Sequence, residues 1–155
     1  VFIRKAFSME VSTTRFNDIY IPDDSIYTFP AGLLGFPSEK QFAIISENNG
    51  PLKWMQSITE PSLAFVVCDP LLFKADYRVR APLGELNEIE IEDVNKAVVL
   101  VILVIRENPE DITANLLGPL VFNSVNRQAK QLVLSDSDYS TKYRILTGKL
   151  AANAS

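Results

Sequence analysis

Apolar positions along this chain recur mostly with a period of two, in short runs rich in β-branched and aromatic residues. That is the pattern of strands whose alternate side chains face a core. Strands are predicted over 13–21, 25–29, 42–47, 52–58, 63–68, 77–80, 98–106, 112–117, 120–123 and 130–134. Between them stand clusters of turn formers such as IPDDS, ENNGP, TEPS, RENPED and SDSD. Many short strands with Pro-rich and Gly-rich turns predict an all-β fold, an antiparallel pseudo-barrel or sandwich. Helix is limited to a turn or two over 82–89 and another around 38–41.

Three stretches depart from plain alternation or use it unusually. Val98 to Ile105 is apolar at nearly every position, which suits a central strand covered on both faces. EIEIED at 88–93 alternates acid with isoleucine; as a strand it would set Glu88, Glu90 and Glu92 on one face and Ile89 and Ile91 on the other. Together with Glu85 and Asp93 these make five acids between Arg80 and Lys96 with no intervening cation. Such a row either attracts a basic protein surface or keeps a strand edge soluble and unpaired. The third stretch, TANLLGPLVFNS at 113–124, is strand-like but interrupted by Asn115, by Gly118-Pro119 and by Asn123. A buried amide without partners costs roughly 1–3 kcal/mol, so these groups must be bonded at a strand break or used by a partner.

The 155 residues fit one domain whose core needs neither disulfide nor metal. A net charge of −4 sets the chain against phosphate backbones, and the densest basic clusters, IRKAF and NRQAK, hold only two cations each. Phe16, Tyr20 and Tyr27 lie beside Asp18, Asp23 and Asp24, which further opposes direct nucleic-acid binding. Cys68 is the only cysteine, so the chain carries no sign of an oxidising compartment. The longest apolar run, 97–105, falls far short of the about 20 residues a membrane helix needs, and a cytoplasmic protein without membrane contact is expected.

Histidine is absent, which removes Ser-His and Cys-His nucleophile pairs, His-containing zinc sites and the usual neutral-pH proton shuttle. SDSDYSTKY begins like a calcium loop, yet Thr141 stands where glycine and Thr147 where glutamate is needed. Gly148-Lys149 lacks the first glycine of a P-loop, because Tyr143 occupies that position. Carboxylate pairs such as Asp23 with Asp24 or Asp136 with Asp138 leave one alternative, a carboxylate-based enzyme of unknown substrate, which requires a deep pocket with two facing acids. No catalytic, cofactor-binding or metal-binding residue is assigned, and no cofactor is expected. Trp54 alternates with Leu52 and Gln56 and reads as core, whereas Gln56 needs partners if buried.

Four stretches together resemble the flagellar assembly factor FliW family. They are FPAGLLGF at 29–36, PLKWMQSITEPSLAFVVCDP at 51–70, TANLLGPLVFNS at 113–124 and QAKQLVLSDSDYSTKY from Gln128, in the family's order and spanning most of 13–146. The third resembles the family's Asn-Leu-x-x-Pro-x-x-x-Asn pattern, carried by Asn115, Leu116, Pro119 and Asn123 and followed by Gln131 and the DSDY turn. Asn115 and Asn123 are expected to bond backbone groups where the strand breaks. One departure is Asn17, where the family usually has glycine; asparagine tolerates positive φ, so a turn can survive there.

The resemblance implies a non-enzymatic partner switch on a small antiparallel β pseudo-barrel. Family members bind flagellin and, once flagellin is exported, the RNA-binding translational repressor CsrA, whose capture frees flagellin mRNA for translation. The acidic residues Glu85, Glu88, Glu90, Glu92 and Asp93 are the candidate contact for a cationic partner. The expected organisation is an N-terminal extension over 1–12, one β domain over 13–146 and a fraying tail over 147–155.

Overall fold

The computed structural model describes residues 4–5, 7–82 and 84–145. β1 (Arg4–Lys5), β2 (Ser8–Thr13) and β3 (Asn17–Pro22) form an antiparallel sheet of their own. The run predicted as one strand from Thr13 is therefore broken. Thr13 Oγ1 accepts the Phe16 N–H at 2.7 Å and donates to the Asn17 carbonyl at 2.8 Å, and Asn17 takes φ +59° to turn the chain back. Residues 8–12, placed above in an extension, are the first arm of this hairpin, and Val11 is fully buried beneath it. The tail at 147–155 lies outside the described residues.

The expected all-β class is what the structure shows, and the barrel is closed. Around it run β4 (Ile26–Thr28), β5 (Gln41–Ser46), β6 (Lys53–Ser57), β7 (Ala64–Cys68) and β8 (Val98–Val104). After β9 (Thr113–Ala114), β10 (Leu120–Asn123) and β11 (Gln128–Gln131) complete the ring; β12 (Tyr143–Arg144) adds to β9. Closure comes from two pairings: β10 lies antiparallel to β8, and β11 meets β4 in the ring's single parallel contact. A closed ring leaves no edge to recruit other chains.

Strand alternation sorts side chains into an interior and an outer wall. Phe29, Phe42, Met55, Val67, Leu100, Leu120 and Phe122 fill the interior, with Phe29 set edge-on to both Phe42 and Phe122. The β2–β3 hairpin covers the outer wall at Ala43, and a longer cover from 69–97 and 132–145 buries Cys68, Val101, Leu103 and Val121. This second cover explains why the middle of the 98–105 run, Val99 to Leu103, is apolar on both faces, whereas Val98, Val104 and Ile105 at its ends are exposed. It also corrects two elements: 77–80 pairs with no strand, and EIEIED is a loop around a single 3-10 turn (Asn87–Ile89) with Glu90 at φ +59°. At 38–41 there is a turn leading into β5 rather than a helix.

Candidate partner-binding faces

The interrupted motif at 113–124 is a break in the barrel wall. Ala114 faces Leu103, so an unbroken ladder would put Leu117 opposite Leu100; Leu120 stands there instead, and three residues are extruded. Asn115 Oδ1 accepts the Gly118 N–H at 2.9 Å, and Gln131 Nε2 donates to the Gly118 carbonyl at 3.1 Å. A Cβ on Gly118 would stand 3.0 Å from the side-chain nitrogens of both Asn115 and Gln131, so a larger residue here would press on the two amides that hold the break. Pro119 is buried where no amide donor is called for, and its carbonyl accepts the Leu132 N–H at 2.9 Å. The extruded Leu116 is buried in the outer cover, its carbonyl held by the Tyr77 hydroxyl at 2.7 Å. Burial raises the Tyr77 phenol well above its ordinary range, with nearby Tyr139 adding to the shift.

Asn123 sits elsewhere, at the β10–β11 turn. Its Oδ1 accepts the Val125 N–H at 3.0 Å, and its Nδ2 donates to the Ile89 carbonyl at 2.9 Å. Asn126 Nδ2 reaches the same carbonyl at 3.3 Å and the Glu90 carboxylate at 2.9 Å. Two amides thus grip the acidic loop from a turn 34 residues away in sequence.

The five acids do not form one strand face. Ile89 and Ile91 are buried and Glu88, Glu90 and Glu92 exposed, so the alternation of burial holds although the backbone is a loop. Lys130 Nζ lies 3.4 Å from Glu85 and 3.9 Å from Glu88 and also bonds the Glu85 carbonyl at 3.1 Å, which spends part of their charge. Glu90, Glu92 and Asp93 instead line a shallow depression of about 590 Å³ with Lys96, Asn126 and the highly exposed Val125. Asp93 is partly committed, since its carboxylate accepts the Asn95 N–H at 3.0 Å.

A second face is apolar, and sequence reasoning missed it. A groove of about 1020 Å³ runs over the outer wall at Leu52, Trp54, Ala64, Val66 and Ile105. Trp54, read above as core, is half-buried there; the Arg15 guanidinium lies 3.8 Å from its ring centre and Phe16 meets it edge-on. The available signal was Trp54 and Leu52 on one strand face opposite a run of apolar alternates. Gln56, one step along that strand, is fully buried, and its Nε2 is shared by the Ser57, Glu60 and Pro61 carbonyls at 3.1–3.4 Å.

For the carboxylate-enzyme reading, Asp136 and Asp138 do border a cleft of about 800 Å³ with Asp76, but Lys74, Arg78 and Arg80 border it as well. A hydrogen bond from Lys74 holds the Asp76 carboxyl below its usual value, and hydrogen bonds from Ser62 do the same for Glu60. That is the opposite direction from the one a general acid needs. Among the described residues no cluster of His, Cys, Asp or Glu is placed to hold a metal, and no helix is long and apolar enough to cross a membrane.

These features define a class: a small closed β-barrel whose buried polar groups tie its loops down, with one acidic and one apolar face. The chain belongs to the FliW family, whose model matches residues 10–145. It is 39% identical over 140 residues to the flagellar assembly factor FliW of Caldanaerobacter subterraneus subsp. tengcongensis, covering 89% of this chain and 93% of that one. With the flagellar assembly factor FliW of Geobacter sulfurreducens it shares 40% identity over 136 residues, 87% of this chain and 85% of the relative. A crystal structure of the flagellar assembly factor FliW superposes with a TM-score of 0.80 at 31% identity, covering 88% of this chain and 96% of that one. These relatives are named for assembly, a non-enzymatic role.

Proposed function

We propose that this protein is a cytoplasmic flagellar assembly factor that binds flagellin and, alternatively, the translational repressor CsrA, and that capture of CsrA permits flagellin translation. The observation that carries the proposal is family membership over nearly the whole chain, including the wall-break motif. The acidic depression supports the repressor half: a basic RNA-binding protein is drawn to Glu90, Glu92 and Asp93, whose charge Lys130 leaves unspent. The protein itself makes no nucleic-acid contact in this scheme, in keeping with its net charge of −4.

Mixing the purified protein with flagellin and with CsrA, separately and together, and reading complexes by size-exclusion chromatography tests the proposal. Co-elution with each partner alone is the expected result. If neither co-elutes, the partner-switch function does not extend to this chain.

A further inference from the structure

The turn that joins β5 to β6 carries Asn48, Asn49 and Gly50, and Asn49 is the chain's sole asparagine that a glycine follows. Asn48 at φ +58° and Asn49 at φ +52° are both left-handed, and the Gly50 N–H closes the turn on the Glu47 carbonyl. Two left-handed central residues suit a tight hairpin, and asparagine tolerates that conformation without preferring it. The closing bond is long, at 3.4 Å where about 2.9–3.0 Å is usual, so the peptide plane between Asn49 and Gly50 is lightly held.

The surroundings leave that plane free to turn. Asn49 is exposed, and among the described residues its side-chain amide has no hydrogen-bond partner. Gly50 faces open space, since a Cβ built on it would meet nothing within 4 Å. Other asparagines are placed differently: Asn108, Asn115, Asn123 and Asn126 each use the side-chain amide to hold a nearby backbone N–H.

Asparagine is among the thermolabile side chains, and the chemistry of its loss needs this arrangement. The nitrogen of the following residue must reach the side-chain carbonyl carbon and close a five-membered ring. Glycine presents that nitrogen with no side chain in the way and allows the plane to swing onto Cγ. The swing also takes Asn49 out of the left-handed region.

We propose that Asn49 is a site of spontaneous modification, converted in the folded chain to isoaspartate and aspartate through a cyclic imide with Gly50. Solvent base takes the Gly50 N–H proton, the bond from that nitrogen to Asn49 Cγ forms, and the bond from Cγ to Nδ2 breaks. Nδ2 leaves as ammonia, with its added proton from water. A water molecule then opens the imide. Attack at the Asn49 backbone carbonyl routes the chain through Cβ and Cγ as isoaspartate; attack at Cγ gives aspartate on the ordinary backbone. Either product adds a negative charge at the rim of the Trp54 groove, which Glu47, Asn48 and Gly50 line. Isoaspartate also puts one more carbon into the turn beside the Ser46 to Lys53 pairing.

The folded protein, held at mildly alkaline pH in water enriched in oxygen-18 and then digested with trypsin in ordinary water, yields a peptide over 41–53 that contains both Asn48 and Asn49. Fragmentation mass spectrometry should place a new carboxylate bearing the label at Asn49, ahead of the bonded Asn123, and isoaspartyl methyltransferase should methylate the product. Circular dichroism melting confirms that the chain stays folded during incubation. Gly50→Ala, whose methyl group enters open space, should slow the conversion severalfold or more. An unchanged Asn49, or one converted no faster than Asn123, overturns the proposal. Aspartate formed without isoaspartate, or an undiminished rate in folded Gly50→Ala, overturns it as well, because neither passes through the ring.

Discussion

Asn115 and Asn123 belong to one short motif, yet they serve different parts of the molecule. Asn115 works inside the wall, closing a turn on Gly118 within a bulge that Gln131 braces from the next strand. Asn123 works across it, holding Ile89 and so the loop that carries the acids. Bulge and turn are both sharp departures from strand geometry stabilised by a side-chain amide. The difference is what lies on the other end of the bond: the barrel's own backbone in one case, a loop that faces solvent in the other. A polar group whose partners are internal and buried maintains the fold; one that anchors an exposed charged loop also sets what that loop can present.

The sharpest way to break this comparison is Asn115→Ala. The buried Gly118 N–H loses its acceptor, at a cost of about 1–3 kcal/mol, or a fall of roughly 2–10 °C in Tm for a chain of this size. Thermal melting should show that loss, and Asn115→Asp, which keeps the acceptor oxygen, should recover most of it. Affinity for CsrA measured below the melting range should not move. A collapse of affinity with unchanged melting would place Asn115 in an interface instead.

Asn123→Ala should cost less stability, about 1 kcal/mol, because Asn126 still holds the Ile89 carbonyl. Its distinguishing effect is on the loop: CsrA affinity should fall, and amide exchange at 88–91 should quicken. If stability drops as far as in Asn115→Ala and binding is untouched, the two amides are equivalent and the comparison fails.

Reversing Glu90 and Glu92 to Lys should lower melting only slightly, since both are exposed and the one bond lost is the solvent-exposed one from Asn126 to Glu90, but should slow association with CsrA several-fold at low salt, the difference closing as salt screens it. Stopped-flow rates at two ionic strengths check this. Equal rates at both would remove the depression from the contact. The smallest expected effect is at Cys68. Burial, helped by Asp69, pushes its thiol up to about 12, so alkylating reagents at mildly alkaline pH should leave it unmodified until the barrel opens. Rapid modification of the folded protein would show that the outer cover lifts locally.

Much of the barrel was legible in period and turn chemistry. β10 matches its expected residues, and β5 to β8 fall within a residue or two of theirs. The hairpin turn after Thr13 was hidden because Thr14 to Phe16 contains no glycine or proline; a hydroxyl and a left-handed asparagine make it instead. At EIEIED the alternation correctly separated buried isoleucine from exposed acid, but a period of two does not by itself require a strand. A loop pinned at Ile89 and draped over a wall buries the same side chains. For the candidate faces, the acids were visible as a row, whereas Lys130 between them and Arg15 above Trp54 were not, since each reaches its place through pairing distant in sequence.

By itself, then, the order of residues determined the all-β class, most strand positions, the lack of histidine chemistry and the buried identity of Ile89 and Ile91, because each follows from local composition or from which side of the backbone a residue takes. Tertiary structure alone decided that the wall closes, that three residues are extruded opposite Leu100, that Asn123 governs the acidic loop, and that a strip beside Trp54 stays bare. Those outcomes depend on which strands meet and in what register, and register between distant segments is set by the fit of whole faces rather than by any one stretch of chain.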